Sequence, residues 1–168
     1  ANIQTEFGGS HPISLSEYYG VDTVPSSGAI SLSDFYGTSN VVFIAATGGS
    51  IVTSGDYKIH TFTGSGTFTV TTAGNAAGSN TVQFVGIAGG GGGGSNCGGN
   101  GGGGGGGAGG YRSSVSGENS GGGASALSAY TVSAQDYPIS IGGGGTGQTG
   151  CGSGTAGSGS SAFGYSMT

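Results

Sequence analysis

The side chains from which catalytic or metal chemistry could be assembled are few and widely spaced. His11 and His60 lie far apart, Cys97 and Cys151 stand singly, and no Cys-x-x-Cys or His-x-His spacing occurs. The seven carboxylates, Glu6, Glu17, Asp22, Asp34, Asp56, Glu118 and Asp136, are scattered one at a time. Structural zinc needs several converging nitrogen and sulfur ligands and calcium needs several oxygens, and neither pattern is present. A Ser/His/Asp triad can be drawn on paper from His60, Asp56 and any serine, but no local pattern selects one. Gly-x-Gly-x-x-Gly is satisfied trivially by polyglycine, and no strand–turn–helix context supports a dinucleotide site. Residues 150–154 read Gly-Cys-Gly-Ser-Gly, which puts serine at the wrong place for a nucleophile elbow. The expectation is a protein that is not an enzyme, with no cofactor and no metal.

The two cysteines leave two readings open. Both fall within glycine segments, where neighbouring stretches of chain can approach to disulfide distance, so Cys97–Cys151 is a candidate bridge. The other reading is two buried thiols, as suits assembly in a reducing cytoplasm.

Composition narrows the remaining classes. Glycine supplies 45 of 168 residues, and together with serine and threonine it makes up 88, over half the chain. Only Lys58 and Arg112 are basic and the net charge is -5, so no face can neutralise a phosphate backbone, which excludes nucleic-acid binding. No run of 18 apolar residues offers a membrane-spanning helix, so no membrane insertion is expected. Glycine comes in blocks rather than at every third position and prolines number three, which excludes collagen. Eight tyrosines and seven phenylalanines recur along the chain, unlike a disordered tract. No basic n-region with an apolar h-region stands at the start, and Ala1 is the small kind of residue left when an initiator Met is trimmed, which favours cytoplasmic synthesis.

The elements expected to position these residues divide the chain in three. Residues 1–40 hold a repeat, Ile13-Ser-Leu-Ser-Glu-Tyr-Tyr-Gly20 and Ile30-Ser-Leu-Ser-Asp-Phe-Tyr-Gly37. Ser16 and Ser33 are the expected N-caps, an acid follows, and Gly20 or Gly37 closes each turn in the left-handed region. One turn of helix is unstable alone, so each must pack on something. Tyr18, Tyr19, Phe35 and Tyr36 are the candidate assembly contacts of a docking arm; the plainer reading is a pair of turns capping a sheet. Residues 41–88 form a β region: 41–46 as a buried strand, 58–63 and 67–72 as a hairpin closed by Gly64-Ser65-Gly66, and 81–88 as a further strand.

Residues 89–168 are a glycine-rich domain. Its glycine segments are 89–94, 98–110, 121–123 and 142–145, with strand-like pieces at 111–115, 127–132 and 137–141. Ordering a glycine costs about 1–2 kcal/mol of backbone entropy, and glycine buries almost no apolar area to offset it. Such a tract is therefore either a flexible spacer or a lattice whose backbone groups bond adjacent segments, the glycine counterpart of polyproline II. Several separate segments, with aromatic residues between them, favour the lattice. The fold class expected is mainly β, a small β-rich N-terminal part followed by a glycine-rich domain with polyglycine II-like segments.

His60-Thr-Phe-Thr-Gly-Ser-Gly-Thr-Phe-Thr-Val70, Val82-Gln-Phe-Val-Gly-Ile-Ala-Gly-Gly-Gly91, Gly107-Ala-Gly-Gly-Tyr-Arg-Ser-Ser114 and Tyr137-Pro-Ile-Ser-Ile-Gly-Gly-Gly-Gly145 resemble, in that order, the glycine-rich domain of bacteriophage tail and virion structural proteins. The resemblance covers about residues 57–165. The repeated Ser-Leu-Ser-acid-aromatic-Tyr-Gly motif is similar to the N-terminal part of such proteins. The tip adhesins of T-even-like phages offer a looser likeness, which implies packed polyglycine helices with receptor-binding loops between them. After Ala162-Phe-Gly-Tyr the related sequences continue into another glycine block, whereas this chain stops at Thr168, as a shorter member or a part of a longer product would.

The resemblance implies a virion structural protein, a tail or tail-fibre component assembled in the host cytoplasm and extracellular when mature. Its expected partners are other tail subunits, further copies of itself in a homo-oligomer, and a host surface glycan or protein. Tyr111 and Arg112 follow the longest glycine tract and are the candidate receptor contacts, in an aromatic-plus-small-polar setting like that of antibody loops. Arg112, the sole arginine, can donate a bidentate bond to an acidic sugar or a partner carboxylate; its plainer reading is an internal salt bridge or a subunit contact. The alternative function is a passive extracellular fibril or surface-decoration subunit with no receptor.

Overall fold

The computed structural model describes residues 18–20, 24–36, 41–98 and 102–168. Among these there is no α-helix, and the chain is mainly β. It forms two compact units, Ala1–Phe43 with Gly74–Ser79, and Ile44–Ala73 with Asn80–Thr168.

In the first unit the second copy of the repeat makes a short 3-10 turn, Leu32–Phe35. Its cap is Ser31 rather than the expected Ser33, because the acid three residues on closes a capping box. Ser31 N–H donates to Asp34 Oδ2 at 2.6 Å and Asp34 N–H donates to Ser31 O at 3.1 Å. Gly20 takes φ +72, as expected of a residue closing a turn, and its N–H donates to Pro25 O at 3.1 Å. Residues 13–17 and Gly37 lie outside the described residues. The four aromatics expected on display are not all displayed. Tyr18 is 1% exposed and meets Phe35 edge-on with ring centroids 5.8 Å apart, so each repeat contributes one ring to a shared contact. Tyr19 O–H donates to Gly28 O, and Tyr36, at 87% exposed, points to solvent.

Residues 41–46 were expected as a buried strand, but Val41 and Phe43 are exposed. The backbone of Val42 is taken elsewhere: its N–H donates to Asn75 Oδ1 at 3.2 Å, and its carbonyl accepts from Asn75 N–H at 3.0 Å. Only the end of the run enters a strand, β1 (Ala45–Thr47).

The second unit continues with β2 (Ser50–Ser54), β3 (Tyr57–Thr61), β4 (Gly66–Thr72), β5 (Thr81–Val82), β6 (Val85–Ile87), β7 (Tyr111–Ser113), β8 (Tyr130–Thr131), β9 (Asp136–Ile139), β10 (Ser160–Ala162) and β11 (Tyr165–Met167). One antiparallel sheet runs β1-β4-β9, and four two-stranded pairs are β2-β3, β5-β8, β6-β7 and β10-β11. The expected hairpin between 58–63 and 67–72 is not made. β3 instead pairs back with β2 through the two-residue loop Gly55-Asp56, where Gly55 adopts φ +56, and β4 takes the centre of the three-stranded sheet. The stretch 81–88 is divided into β5 and β6, which pair with β8 and β7.

The core lies on this sheet: Phe68 and Val70 of β4, Tyr137 and Ile139 of β9, and Val132 are buried together. Phe163 plugs it from the β10-β11 turn, with its ring 5.8 Å from Phe68, 5.4 Å from Phe84, 5.0 Å from Tyr130 and 5.4 Å from Tyr137. Phe163 and Gly164 have φ +51 and +77, as a two-residue hairpin loop requires. The left-handed backbone costs a non-glycine residue about 1–2 kcal/mol, which burying an aromatic ring outweighs.

Candidate functional site

Four extended segments leave this β framework and return to it. The first, residues 88–95, continues β6; the second, 102–110, runs back into β7. The third, 142–148, follows β9, and the fourth, 152–159, returns to β10. The N–H groups of Ala88, Gly91 and Gly94 donate to the carbonyls of Gly110, Gly107 and Gly104 at 2.8, 2.9 and 2.9 Å. Those of Gly89, Gly92 and Ser95 donate to Ser158, Thr155 and Gly152 at 3.0, 2.8 and 2.9 Å. The carbonyls of Gly90 and Gly93 accept from Gly145 and Gln148 at 2.7 and 2.9 Å. Successive residues of the first segment thus address three different neighbours, and each neighbour is met again every third residue. A β ladder repeats every two residues.

The close approach explains the glycines. A Cβ at Gly92 would lie 2.6 Å from Gly147 N, one at Gly145 2.8 Å from Gly92 N, and one at Gly154 2.5 Å from Gly92 C. The membership of this bundle differs from the expected one. Gly121–Gly123 forms a separate 3-10 turn, and the fourth member is 152–159. That segment interleaves its glycines with serine, threonine and alanine, and Gly154 and Gly157 are the ones that face the first segment, so a search for glycine runs misses it.

Cys97 and Cys151 lie just beyond the paired ends of the first and fourth segments, where Ser95 and Gly152 exchange backbone bonds at 2.9 Å. The structure joins them in a disulfide with Cα atoms 5.0 Å apart. Both residues are exposed, not buried as the thiol reading supposed.

Tyr111 and Arg112 begin β7 where the second segment re-enters the sheet. Adjacent strand residues point to opposite faces, so the structure does not bring the two onto one surface. Tyr111 opposes Ile87, which is 61% exposed, and shares its face with Val85. The Tyr111 O–H donates to Glu118 Oε1, and Ser113 Oγ donates to Glu118 Oε2 at 3.3 Å. The hydrogen bond to Glu118 raises the Tyr111 phenol above its ordinary pKa, desolvation adds to this, and Ser113 opposes it. Glu118, missed in the sequence, fixes this rim because the 113–120 turn folds it back: Ser113 N–H donates to Ser120 Oγ at 3.2 Å and Glu118 N–H to Val115 O at 3.1 Å. Arg112 opposes Gly86, where a Cβ would lie 2.8 Å from Met167 Sδ. Arg112 is half-buried, and among the described residues its side chain makes no ion pair or hydrogen bond.

His60 has a structural place: Nδ1 lies 2.8 Å from Gly48 O, and the ring stacks edge-on against Phe68 at 5.0 Å. Among the described residues no three of His, Cys, Asp and Glu gather, and no helix is long and apolar enough to cross a membrane. No protein-family model, curated protein or solved structure matches this chain.

Proposed function

We propose that this chain is a bacteriophage virion structural protein, a tail or tail-fibre component, whose stiffness comes from a bundle of polyglycine II-like segments. The observation that carries the reading is the three-residue hydrogen-bond period linking residues 88–95 to three neighbouring segments. A threefold extended helix rising about 3.1 Å per residue presents its backbone groups in three directions, as that period requires. The stiff bundle would present Tyr111 and Arg112 to a host surface glycan or protein, from opposite faces of β7. Residues 1–40 would attach the protein to other tail subunits, with the solvent-facing Tyr36 as the ring that docks. The exposed Cys97–Cys151 bridge supports residence outside the cell, since disulfides persist in oxidising surroundings.

Amide exchange tests the bundle. Slow exchange at residues 88, 89, 91, 92, 94 and 95 supports the lattice, and fast exchange throughout 89–110 sinks it. Binding of the purified chain to candidate host cells, lost in Tyr111→Ala or Arg112→Ala, supports recognition. Labelling of virion tails without any cell binding would leave a scaffold role, and absence from virions would favour the passive fibril or decoration subunit. Deleting residues 1–40 should abolish incorporation and leave the glycine domain folded.

A further inference from the structure

The second glycine segment contains more glycine than its own fold requires. Gly103, Gly106 and Gly109 face the first segment, where Cβ atoms would lie 3.3 Å from Gly94 C, 2.8 Å from Gly91 C and 2.6 Å from Ala88 C. At Gly102, Gly104, Gly105 and Gly107 a Cβ would meet nothing within 4 Å, yet every residue from 101 to 107 is glycine. The third and fourth segments carry side chains at Thr146, Gln148, Thr155 and Ala156, and of their glycines Gly143 alone would place a Cβ in open space. The first segment, glycine throughout 89–94, is the one enclosed on three sides. Residues 102–107 therefore have the composition of an enclosed segment in a fully exposed position. Open glycines cost chain entropy and give nothing back within one chain.

The backbone points the same way. Gly104, Gly107 and Gly110 accept bonds from the first segment, but among the described residues no N–H of Gly102–Gly109 donates one. The segment thus presents a row of unspent donors, with free carbonyls between those already used. This pattern of partial charge is complementary to the same pattern run antiparallel. A partner approaching at backbone distance must itself lack Cβ atoms and hold spare donors. Among the described residues the longest unbroken run that meets both conditions is Gly102–Gly107 itself.

We infer that residues 102–110 are the contact through which two copies of this chain associate, second segment against second segment about a twofold axis. The contact rests on the three-residue period and not on the virion role, so a monomeric chain found within intact virions would overturn the contact and leave the role standing.

Sedimentation equilibrium on the oxidised full chain tests it, with two double variants that cover the open faces, Gly102→Ala/Gly105→Ala and Gly104→Ala/Gly107→Ala. Both should melt at or above the parent under dilute conditions, since the added methyls meet open space and restrict the unfolded chain. At least one should weaken self-association by about tenfold or more, because methyl groups hold the backbones apart. In the parent, amides of 102–109 should exchange more slowly at high concentration than at low. A parent that stays monomeric, double variants that associate as the parent does, or concentration-independent exchange at 102–109 would each overturn the contact.

Discussion

Gly105 and Gly106 are neighbours in sequence with opposite surroundings, which makes their alanine substitutions a sharp test of the bundle. At Gly106 a Cβ would lie 2.8 Å from Gly91 C and 3.0 Å from Gly92 C, and closer still to the Gly91 carbonyl oxygen. These atoms are backbone and cannot rotate away. Overpacking of this kind costs about 1–3 kcal/mol. The segments must also part, weakening the 2.9 Å bond from Gly91 N–H to Gly107 O, worth about 1 kcal/mol. Against this, replacing glycine by alanine restricts the unfolded chain, a gain of about 0.4–1 kcal/mol. The net effect of Gly106→Ala is a loss of about 1–3 kcal/mol. At Gly105 the methyl meets nothing, so the entropic gain stands alone and the variant is stabilised by about 0.4–1 kcal/mol. In thermal melts at dilute concentration the two variants should separate by roughly 4–12 °C, with Gly106→Ala the lower. Two variants melting together, or Gly105→Ala the worse, would refute the three-residue register.

The disulfide closes a 54-residue separation, so reducing it should cost about 2–4 kcal/mol and lower the melting temperature, and an unchanged melt would show that the bridge bears no strain of unfolding. Phe163→Ala removes a ring that four aromatic side chains contact, and its stability loss by denaturant titration should be about 3–5 kcal/mol; a loss near zero would mean the turn does not plug the core. The raised Tyr111 phenol binds its proton more tightly in the folded chain, so its contribution to stability is present below the ordinary tyrosine pKa and is lost as pH rises through the higher folded value. Ultraviolet titration of Glu118→Gln should move one tyrosine down toward its ordinary range, and an unmoved curve would reject the Glu118 hydrogen bond as the cause.

Several strands were readable from β-branched and aromatic runs, but β2, β10 and β11 were not among them, and the pairing was not readable. Two glycine-bearing loops competed to close a hairpin on β3. Gly64-Ser65-Gly66 had the longer flanking strands, yet Gly55-Asp56 won because a two-residue loop with positive φ at its first position matches strand twist. That freed β4, whose Phe68 and Val70 are both buried, for a two-partner place that local pattern does not encode. The glycine half shows the same division. Residues 89–94 announced a segment needing close neighbours, but the neighbour at 152–159 breaks its glycines with serine, threonine and alanine and so shows no glycine run. At the candidate site Tyr111 and Arg112 were visible as types. Their opposite faces follow from strand alternation and were legible. The Glu118 bond depends on how the 113–120 turn closes, which was not.

The placement of side chains explains how a bundle without them is held in register. Glycine segments bury little apolar area, so their hydrogen bonds alone leave the entropy of ordering largely uncompensated. Each segment here is rooted at one end in a strand: 88–95 and 102–110 in the β6-β7 pair, 142–148 and 152–159 beside the Ser140–Ser161 bridge. Those roots surround the cluster of Phe68, Phe84, Tyr130, Tyr137 and Phe163, where the apolar burial is concentrated. At the opposite end Cys97 and Cys151 tie the first segment to the fourth. Between the two anchors a one-residue slip of the fourth segment would bring threonine, serine or alanine into the close approaches to the first segment that Gly154 and Gly157 now make. The aromatic cluster therefore sets where the bundle begins, and Gly154 and Gly157, three residues apart, set the register of the fourth segment against the first.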